Sequence, residues 1–272
     1  MSIQTIDQVA LDSALPRARQ ALYRFAAVAL LDPKYGTWAL LQKLRSEPLL
    51  ASAAEVLRET ATAEAEELGL GELPLAELDP EAVWRKLPPS DAALNTMYER
   101  TFGLLVSAAC PPYETEYIPS KFTFQRGNTL ADVSGFYRAF GLTTSLMHAE
   151  RPDHIVLELE FMAFLLGRER EADEQQDRAL GEPRAAVCRQ AQTRFLQEHL
   201  APWATLFAKL LQRENPGGFY EAVGNFLAAL IPAERSLLGV AVPQQAAQAP
   251  SQIEPLDACD GCQLHGDPQL GT

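Results

Sequence analysis

The chain has 272 residues and a formal net charge of −13 at pH 7, with 47% apolar and 22% charged residues. This length and composition are those of a soluble globular protein with one large domain or two small ones. The negative charge argues against nucleic-acid binding, which needs lysine and arginine to replace counterions on phosphates. It also disfavours docking on anionic lipid and suits a basic partner.

Targeting and redox signals are weak. The first twenty residues lack a basic stretch followed by an apolar one, and the longest apolar runs are too short for a membrane span. Four cysteines in a chain of this length do not form a disulfide scaffold. These features predict a cytoplasmic protein with no stable membrane insertion.

Helical periodicity covers the first third of the chain. One stripe is formed by Leu11, Leu15, Ala18, Leu22, Phe25 and Ala29. Segments 35–46 and 49–68 continue the helical pattern, whereas the prolines and glycines of 69–90 predict a connection with at most one short helix. Ser90 is placed to cap a helix that begins at Asp91.

The middle of the chain is less regular. Residues 108–127 hold three prolines and four aromatic residues with little helical period, which predicts a long loop, and long loops in compact domains are often functional. A helix should then run over 128–142, with Asn128 or Thr129 as its cap. Gly141 stands where a left-handed C-terminal residue is favoured.

The second half is also helical. Segment 155–171 is apolar around most of its circumference, so we expect it to be central, and three further helices are predicted over 182–200, 201–215 and 217–231. No segment shows strand alternation between hairpin turns. The prediction is an all-α, single-domain helical bundle over residues 1–241, followed by a flexible tail over 242–272.

The sequence offers little catalytic chemistry. It contains no Walker-type phosphate loop, no GxGxxG after a strand, no GxSxG elbow and no HExxH pair. With only four histidines, a triad or a His-rich metal site is hard to assemble. Enzymatic activity therefore has no positive support, and a helical hydrolase using Glu150, Asp153 and His154 is only a minor alternative.

The stretch ERPDHIVLELEFM begins at Glu150 and raises two readings of its Asp–His pair. In one, Asp153 is simply the N-cap of the following helix and His154 is a first-turn residue. In the other, an exposed carboxylate and imidazole at the helix start, flanked by Glu150 and Arg151, contact a partner. The residues alone leave both open.

The loop PPYETEY is the second candidate. Its aromatic residues could pin an irregular strap to the bundle. Alternatively, Tyr113, Glu114, Glu116 and Tyr117 form an acidic, aromatic-lined wall that pairs with arginine and apolar side chains of a basic peptide.

The tail carries a third candidate in Cys259, Cys262 and His265. This CxxCxxH pattern provides three ligands at a workable spacing for zinc or a similar metal, or it is a tail without a specific metal role. A metal-handling or redox protein acting through these residues is the alternative function. The other two cysteines, Cys110 and Cys188, are expected to be buried thiols.

Taken in order, PPYETEY, LADVSGFYRAFGL and ERPDHIVLELEFM resemble the hallmark motifs of the TorD/DmsD/NarJ family of redox-enzyme maturation chaperones. The resemblance implies a TorD-like all-helical chaperone that requires no cofactor. Its implied partner is the catalytic subunit of a molybdopterin-dependent oxidoreductase of the DMSO-reductase family, or that subunit's twin-arginine leader, bound before cofactor insertion and export. It also implies that Asp153 and His154 take part in leader binding and that the Tyr113–Tyr117 loop borders the groove.

Overall fold

The computed structural model describes residues 3–47, 49–60, 67–103, 109–118, 123–143, 150–175 and 178–244. In these ranges the chain folds mainly into α-helices, which confirms the predicted all-α class. The helices are α1 (Ile3–Leu30), α2 (Thr37–Arg45), α3 (Leu49–Thr60), α4 (Pro80–Arg85), α5 (Asp91–Phe102), α6 (Thr123–Ala139), α7 (Ile155–Asp173), α8 (Arg178–Phe195), α9 (Ala201–Glu214) and α10 (Phe219–Leu238). None of these helices is long and apolar enough to cross a membrane.

Helices α7 and α10 lie at the centre of the bundle, as the nearly all-round apolar sequence of α7 predicts. Helix α7 packs between α1 and α8, and α10 packs against α9 and α1. A buried ion pair also links α1 to α10, because Arg19 donates Nε and Nη2 to the two carboxylate oxygens of Glu234 at 2.8 and 2.7 Å. The burial of apolar side chains along these contacts is the main stabilising term.

Several local predictions are confirmed. Ser90 caps α5 by accepting a hydrogen bond from the Ala93 amide at 3.2 Å. Segment 69–90 contains the single short α-helix α4 and one 3-10 turn, Leu75–Glu77. Gly141 has φ +74°, the left-handed conformation that a glycine adopts without steric strain after a helix. Cys110 and Cys188 are both buried.

The predicted start of α6 is wrong. The helix begins at Thr123, so Asn128 and Thr129 lie within it and are not its cap. Residues 123–126 contain no proline, and a glycine such as Gly127 costs a helix interior only about 1 kcal/mol. The predicted loop is therefore shorter at its C-terminal end.

Helices α8 and α9 are continuous, where the sequence suggested two separate helices. They are joined by one π-helical turn, Leu196–Leu200, in which the Ala201 amide bonds to the Leu196 carbonyl. Pro202 has no N–H to offer the Glu198 carbonyl, and its ring would clash with that carbonyl in a regular α-helix. The wider turn accommodates the proline and places His199 beside α6.

The chain remains packed for a few residues beyond α10. Arg235 donates Nη1 to the Val240 carbonyl at 3.2 Å and also pairs with the Glu72 carboxylate through Nε at 3.0 Å. The predicted flexible tail over 242–272 lies outside the described residues from 245 onward, and so do Cys259, Cys262 and His265.

Candidate functional site

The loop before α6 and the start of α7 meet in what we call the loop–helix corner, made of residues 111–117 and 150–155. Tyr113 and His154 form an isolated antiparallel β-bridge. The Glu114 amide donates to the Asp153 carbonyl at 3.0 Å, and the Ile155 amide donates to the Pro112 carbonyl at 2.9 Å. Two of the motifs singled out in the sequence are therefore joined by backbone hydrogen bonds.

The third motif, on α6, reaches the same corner. Tyr137 donates its hydroxyl to the Pro152 carbonyl at 2.9 Å. Its ring packs at 4.9 Å against Phe161 of α7. Residues from three separate sequence motifs thus contribute to one structural unit.

Asp153 is the polar centre of the corner and is fully buried. Its Oδ2 accepts hydrogen bonds from the Thr115 amide at 3.1 Å and the Thr115 hydroxyl at 2.8 Å. Arg151 donates Nε to Oδ1 at 3.0 Å and Nη2 to Oδ2 at 2.8 Å. The carboxylate therefore crosslinks the loop to the residues before α7 and has no exposed surface to offer a peptide.

His154, not Asp153, is the N-cap of α7, so the predicted Asp153 cap is wrong. The His154 Nδ1 accepts a hydrogen bond from the Val156 amide at 3.2 Å. Asp153 cannot cap because its carboxylate is turned toward Thr115 and Arg151. Burial lowers the pKa of His154 to about 4, with Asp153 opposing this shift. The ring is therefore neutral near pH 7, with its proton on Nε2.

The expectation that the Asp–His pair is exposed is also wrong, since His154 is only 6% exposed. The two side chains do not form an acid–base dyad either, because the Asp153 carboxylate faces Arg151 and the His154 Nδ1 is occupied by a backbone amide. Of the three residues of the hydrolase alternative, Glu150 alone retains partial exposure. This arrangement is structural and provides no activated nucleophile or base.

The accessible rim of the corner consists of other predicted residues. The Arg151 guanidinium lies over the Tyr113 ring, 4.3 Å from its centroid. The same ring makes an edge contact with the His154 ring, with the two centroids 5.2 Å apart. Glu116 lies between two arginines, 3.6 Å from Arg151 and 3.4 Å from Arg126. The Arg151, Arg126 and Glu116 side chains are 41, 48 and 23% exposed.

Tyr117 is buried and holds the far end of the loop. Its hydroxyl donates to the Pro111 carbonyl at 2.8 Å, and its ring packs 5.1 Å from Trp203. It closes the loop on itself and anchors it to α9. Tyr117 therefore stabilises the loop from inside the protein and does not line the surface of the corner.

A buried polar group lies behind the corner. Glu114 was predicted as part of the acidic wall, whereas Glu158 and His199 were not identified as site residues. Both carboxylate oxygens of Glu114 lie close to the His199 Nδ1, at 3.1 and 3.2 Å. Glu158 accepts a hydrogen bond from the Trp203 indole at 3.1 Å. Burial raises the pKa of Glu114, an effect that His199 partly offsets. Burial and the nearby Glu114 together raise the pKa of Glu158 well above its usual value.

Comparison with known proteins identifies the class to which this fold and corner belong. Residues 51–209 match the family described as nitrate reductase delta subunit, and the chain belongs to that family. The matched range contains all three motifs, and the resemblance to the TorD/NarJ chaperones drawn from them is confirmed.

Characterised relatives carry related names. The chain is 36% identical over 119 residues to the selenate reductase assembly chaperone protein of Thauera selenatis, covering 44% of this chain and 58% of the relative. It is 30% identical over 165 residues to the chlorate reductase assembly chaperone protein of Ideonella dechloratans, covering 57% and 80%. Chaperone protein TorD of Aliivibrio salmonicida is 27% identical over 120 residues, covering 44% and 52%. The chain thus spans just over half the length of the first and last of these relatives.

Proposed function

We propose that this protein is a system-specific assembly chaperone for the catalytic subunit of a molybdopterin-dependent oxidoreductase, acting in the cytoplasm before cofactor insertion is complete. Family membership supports this role, as do relatives named as assembly chaperones of selenate and chlorate reductases. The structural observation that carries it is the loop–helix corner, where three motifs within residues 111–162 are joined by hydrogen bonds. The family names also favour a binding role over a catalytic one.

We further propose that the rim of the corner contacts the client's twin-arginine leader. The Tyr113 ring and the Glu116 carboxylate already hold the guanidinium of Arg151, by a cation–π contact and an ion pair. An arginine of the leader can pair with Glu116 by displacing the exposed Arg126 and can stack on the Tyr113 ring, while Arg151 keeps its hydrogen bonds to Asp153. The partly exposed Glu150 adds negative charge, and the net charge of −13 favours encounter with a basic peptide.

The buried members of the predicted site act indirectly in this proposal. Asp153, His154, Glu114 and Tyr117 set the position of the loop and of the first turn of α7, and the leader touches only the rim. Substitution of a buried member would therefore change folding stability as well as binding. Rim residues provide the cleaner test.

The peptide experiment uses a synthetic leader with its Arg–Arg pair and a second peptide with Lys–Lys in its place, titrated calorimetrically into the full chain. We expect micromolar or tighter binding of the first peptide. The second should bind about tenfold more weakly, because lysine lacks the planar fork that stacks on tyrosine and pairs with a carboxylate. Glu116→Gln should weaken the affinity for the Arg–Arg peptide about fivefold, which is the ~1 kcal/mol of a partly exposed ion pair.

Glu59→Gln is the matched control, because Glu59 is an exposed glutamate on α3, remote in sequence from the corner. It changes net charge equally and should leave affinity unchanged. Equal affinity for the two peptides, or equal effects of the two glutamate substitutions, would contradict the proposal that the rim binds the leader.

The metal-binding prediction for Cys259, Cys262 and His265 stays a prediction, because these residues lie outside the described part of the chain.

A further inference from the structure

Behind the loop–helix corner, α6 and the π-helical turn border an open pocket of about 580 Å³, which Glu114, Asp132, Glu198 and His199 help to line. The sequence placed none of these four together. Asp132 comes from the motif on α6, and Glu198 and His199 are neighbours in the π turn Leu196–Leu200. We call Asp132, Glu198 and His199 the His199 cluster.

His199 is the central group, because it is buried and one of its two ring nitrogens has no hydrogen-bond partner among the described residues. The side chain is 3% exposed. Its Nδ1 lies against the Glu114 carboxylate, but Nε2 makes no hydrogen bond to any residue in the described ranges. Nε2 lies 3.4 Å from Asp132 Oδ2, and both residues line the pocket. A buried polar atom left without a partner is uncommon and calls for an explanation.

The Glu114 contact determines what Nε2 can do. When Nδ1 donates its proton to the Glu114 carboxylate, Nε2 presents a lone pair. That lone pair faces the Asp132 carboxylate, which is also an acceptor, and two acceptors at this distance repel each other. A cation between them removes the repulsion.

We propose that the His199 cluster binds a first-row divalent transition-metal ion such as Zn²⁺, with His199 Nε2, Asp132 and Glu198 as ligands and Glu114 orienting the imidazole. One potential ligand atom from each of the three residues lies within 4.8 Å of the others. Zinc bonds of about 2.0–2.2 Å require these atoms to come somewhat closer together. The carboxylates can supply this movement, since Asp132 and Glu198 are 61% and 38% exposed.

The surroundings suit an ion of this class. A ligating histidine commonly donates its other N–H to a carboxylate, which is the role of Glu114 here. The charge at the site comprises three carboxyl groups against the Arg194 guanidinium, which pairs with Glu198 at 3.1 Å through both oxygens. Arg194 is 57% exposed and can swing away from Glu198. An imidazole ligand favours Zn²⁺ over Mg²⁺, which prefers oxygen ligands.

Binding would also act on the corner. Glu114 belongs to the loop, Asp132 to α6 and His199 to the turn before α9. An ion bound by Asp132 and His199 would join α6 to this turn, and the His199 contact with Glu114 would connect both to the loop. A ligand that binds the folded state alone raises its stability by mass action. This role is independent of whether the chain binds a leader.

The test starts from the full chain carrying Cys259→Ser and Cys262→Ser, so that the tail cannot bind metal through these thiols. Zn²⁺ is titrated by calorimetry against this protein and against versions that also carry Asp132→Asn or Glu198→Gln. We expect one Zn²⁺ per chain in the starting protein. Each carboxylate substitution should weaken its affinity by about tenfold or more, while both exposed sites keep the fold intact. The ¹⁵N resonance of the His199 Nε2 should shift on addition of Zn²⁺.

Asp91→Asn is the matched control, since Asp91 is an exposed helical aspartate on α5, and it should leave Zn²⁺ affinity unchanged. If the starting protein binds no Zn²⁺ at one equivalent, or if Asp132→Asn and Glu198→Gln bind as tightly as it does, the proposal is overturned.

Discussion

Replacing Asp153 with alanine is expected to lower the free energy of unfolding by about 2–4 kcal/mol, measured by urea denaturation at pH 7. The substitution removes a fully buried carboxylate that accepts two hydrogen bonds from Thr115 and two from Arg151. It leaves the Thr115 amide without its side-chain acceptor in a buried position. The ion pair itself contributes only part of this loss, because the Arg151 side chain is 41% exposed.

Asp79→Ala is the matched control for this experiment. Asp79 has the same two roles, accepting a hydrogen bond from the Glu81 amide at 2.8 Å and from Arg85 at 3.0 Å, but its side chain is 44% exposed. Loss of an exposed N-cap costs about 1 kcal/mol. Equal losses in the two variants would mean that the buried network of Asp153 does not hold the corner together.

The second large effect is a dependence of stability on pH that comes from His154. Burial lowers the pKa of this imidazole in the folded protein from 6.5 to about 4. Between these values the unfolded chain takes up a proton on His154 and the folded chain does not, so stability is complete above pH 6.5 and is lost as pH falls toward 4. The contribution is about 1.4 kcal/mol per pH unit, or roughly 3 kcal/mol over the window.

His154→Asn isolates this contribution, because asparagine can accept the Val156 amide hydrogen bond as an N-cap but does not titrate. The free energies of unfolding of the two proteins should converge or cross as pH falls from 6.5 to 4. The control is Ser90→Ala, which removes the cap of α5 without touching His154 and should shift stability by a constant amount. Parallel curves for the wild type and His154→Asn would show that His154 is not held neutral by burial.

The sequence predicted the helical class and the central position of α7 well, because both depend on local apolar periodicity. It also gave the Ser90 cap and the left-handed Gly141, which depend on residues adjacent in the chain. The start of α6 was misplaced since proline and aromatic residues upstream suggested a loop, and propensity alone does not locate a helix end. The continuity of α8 and α9 depends on a π turn. In the sequence this turn is indicated only by Pro202, which is equally compatible with the start of a separate helix.

The motifs located the candidate site, but not the roles of its residues. A Pro–Asp–His sequence favours an aspartate cap, and only the position of Thr115, 38 residues upstream, turns that carboxylate away from the helix. Burial of Asp153 likewise depends on the loop that covers it. The contact between Glu114 and His199 spans 85 residues and has no local signal, so His199 was not singled out.

The most direct test of the proposed chaperone function is the affinity of the full chain for the purified catalytic subunit of a molybdopterin oxidoreductase from the same cells. The subunit is prepared in four forms, with or without its cofactor and with or without its leader. We expect a complex with the cofactor-free subunit and about tenfold weaker binding of the loaded one, with the leader adding to affinity in both. Absence of a complex with the cofactor-free subunit, or equal affinity for the two forms, would contradict an assembly role.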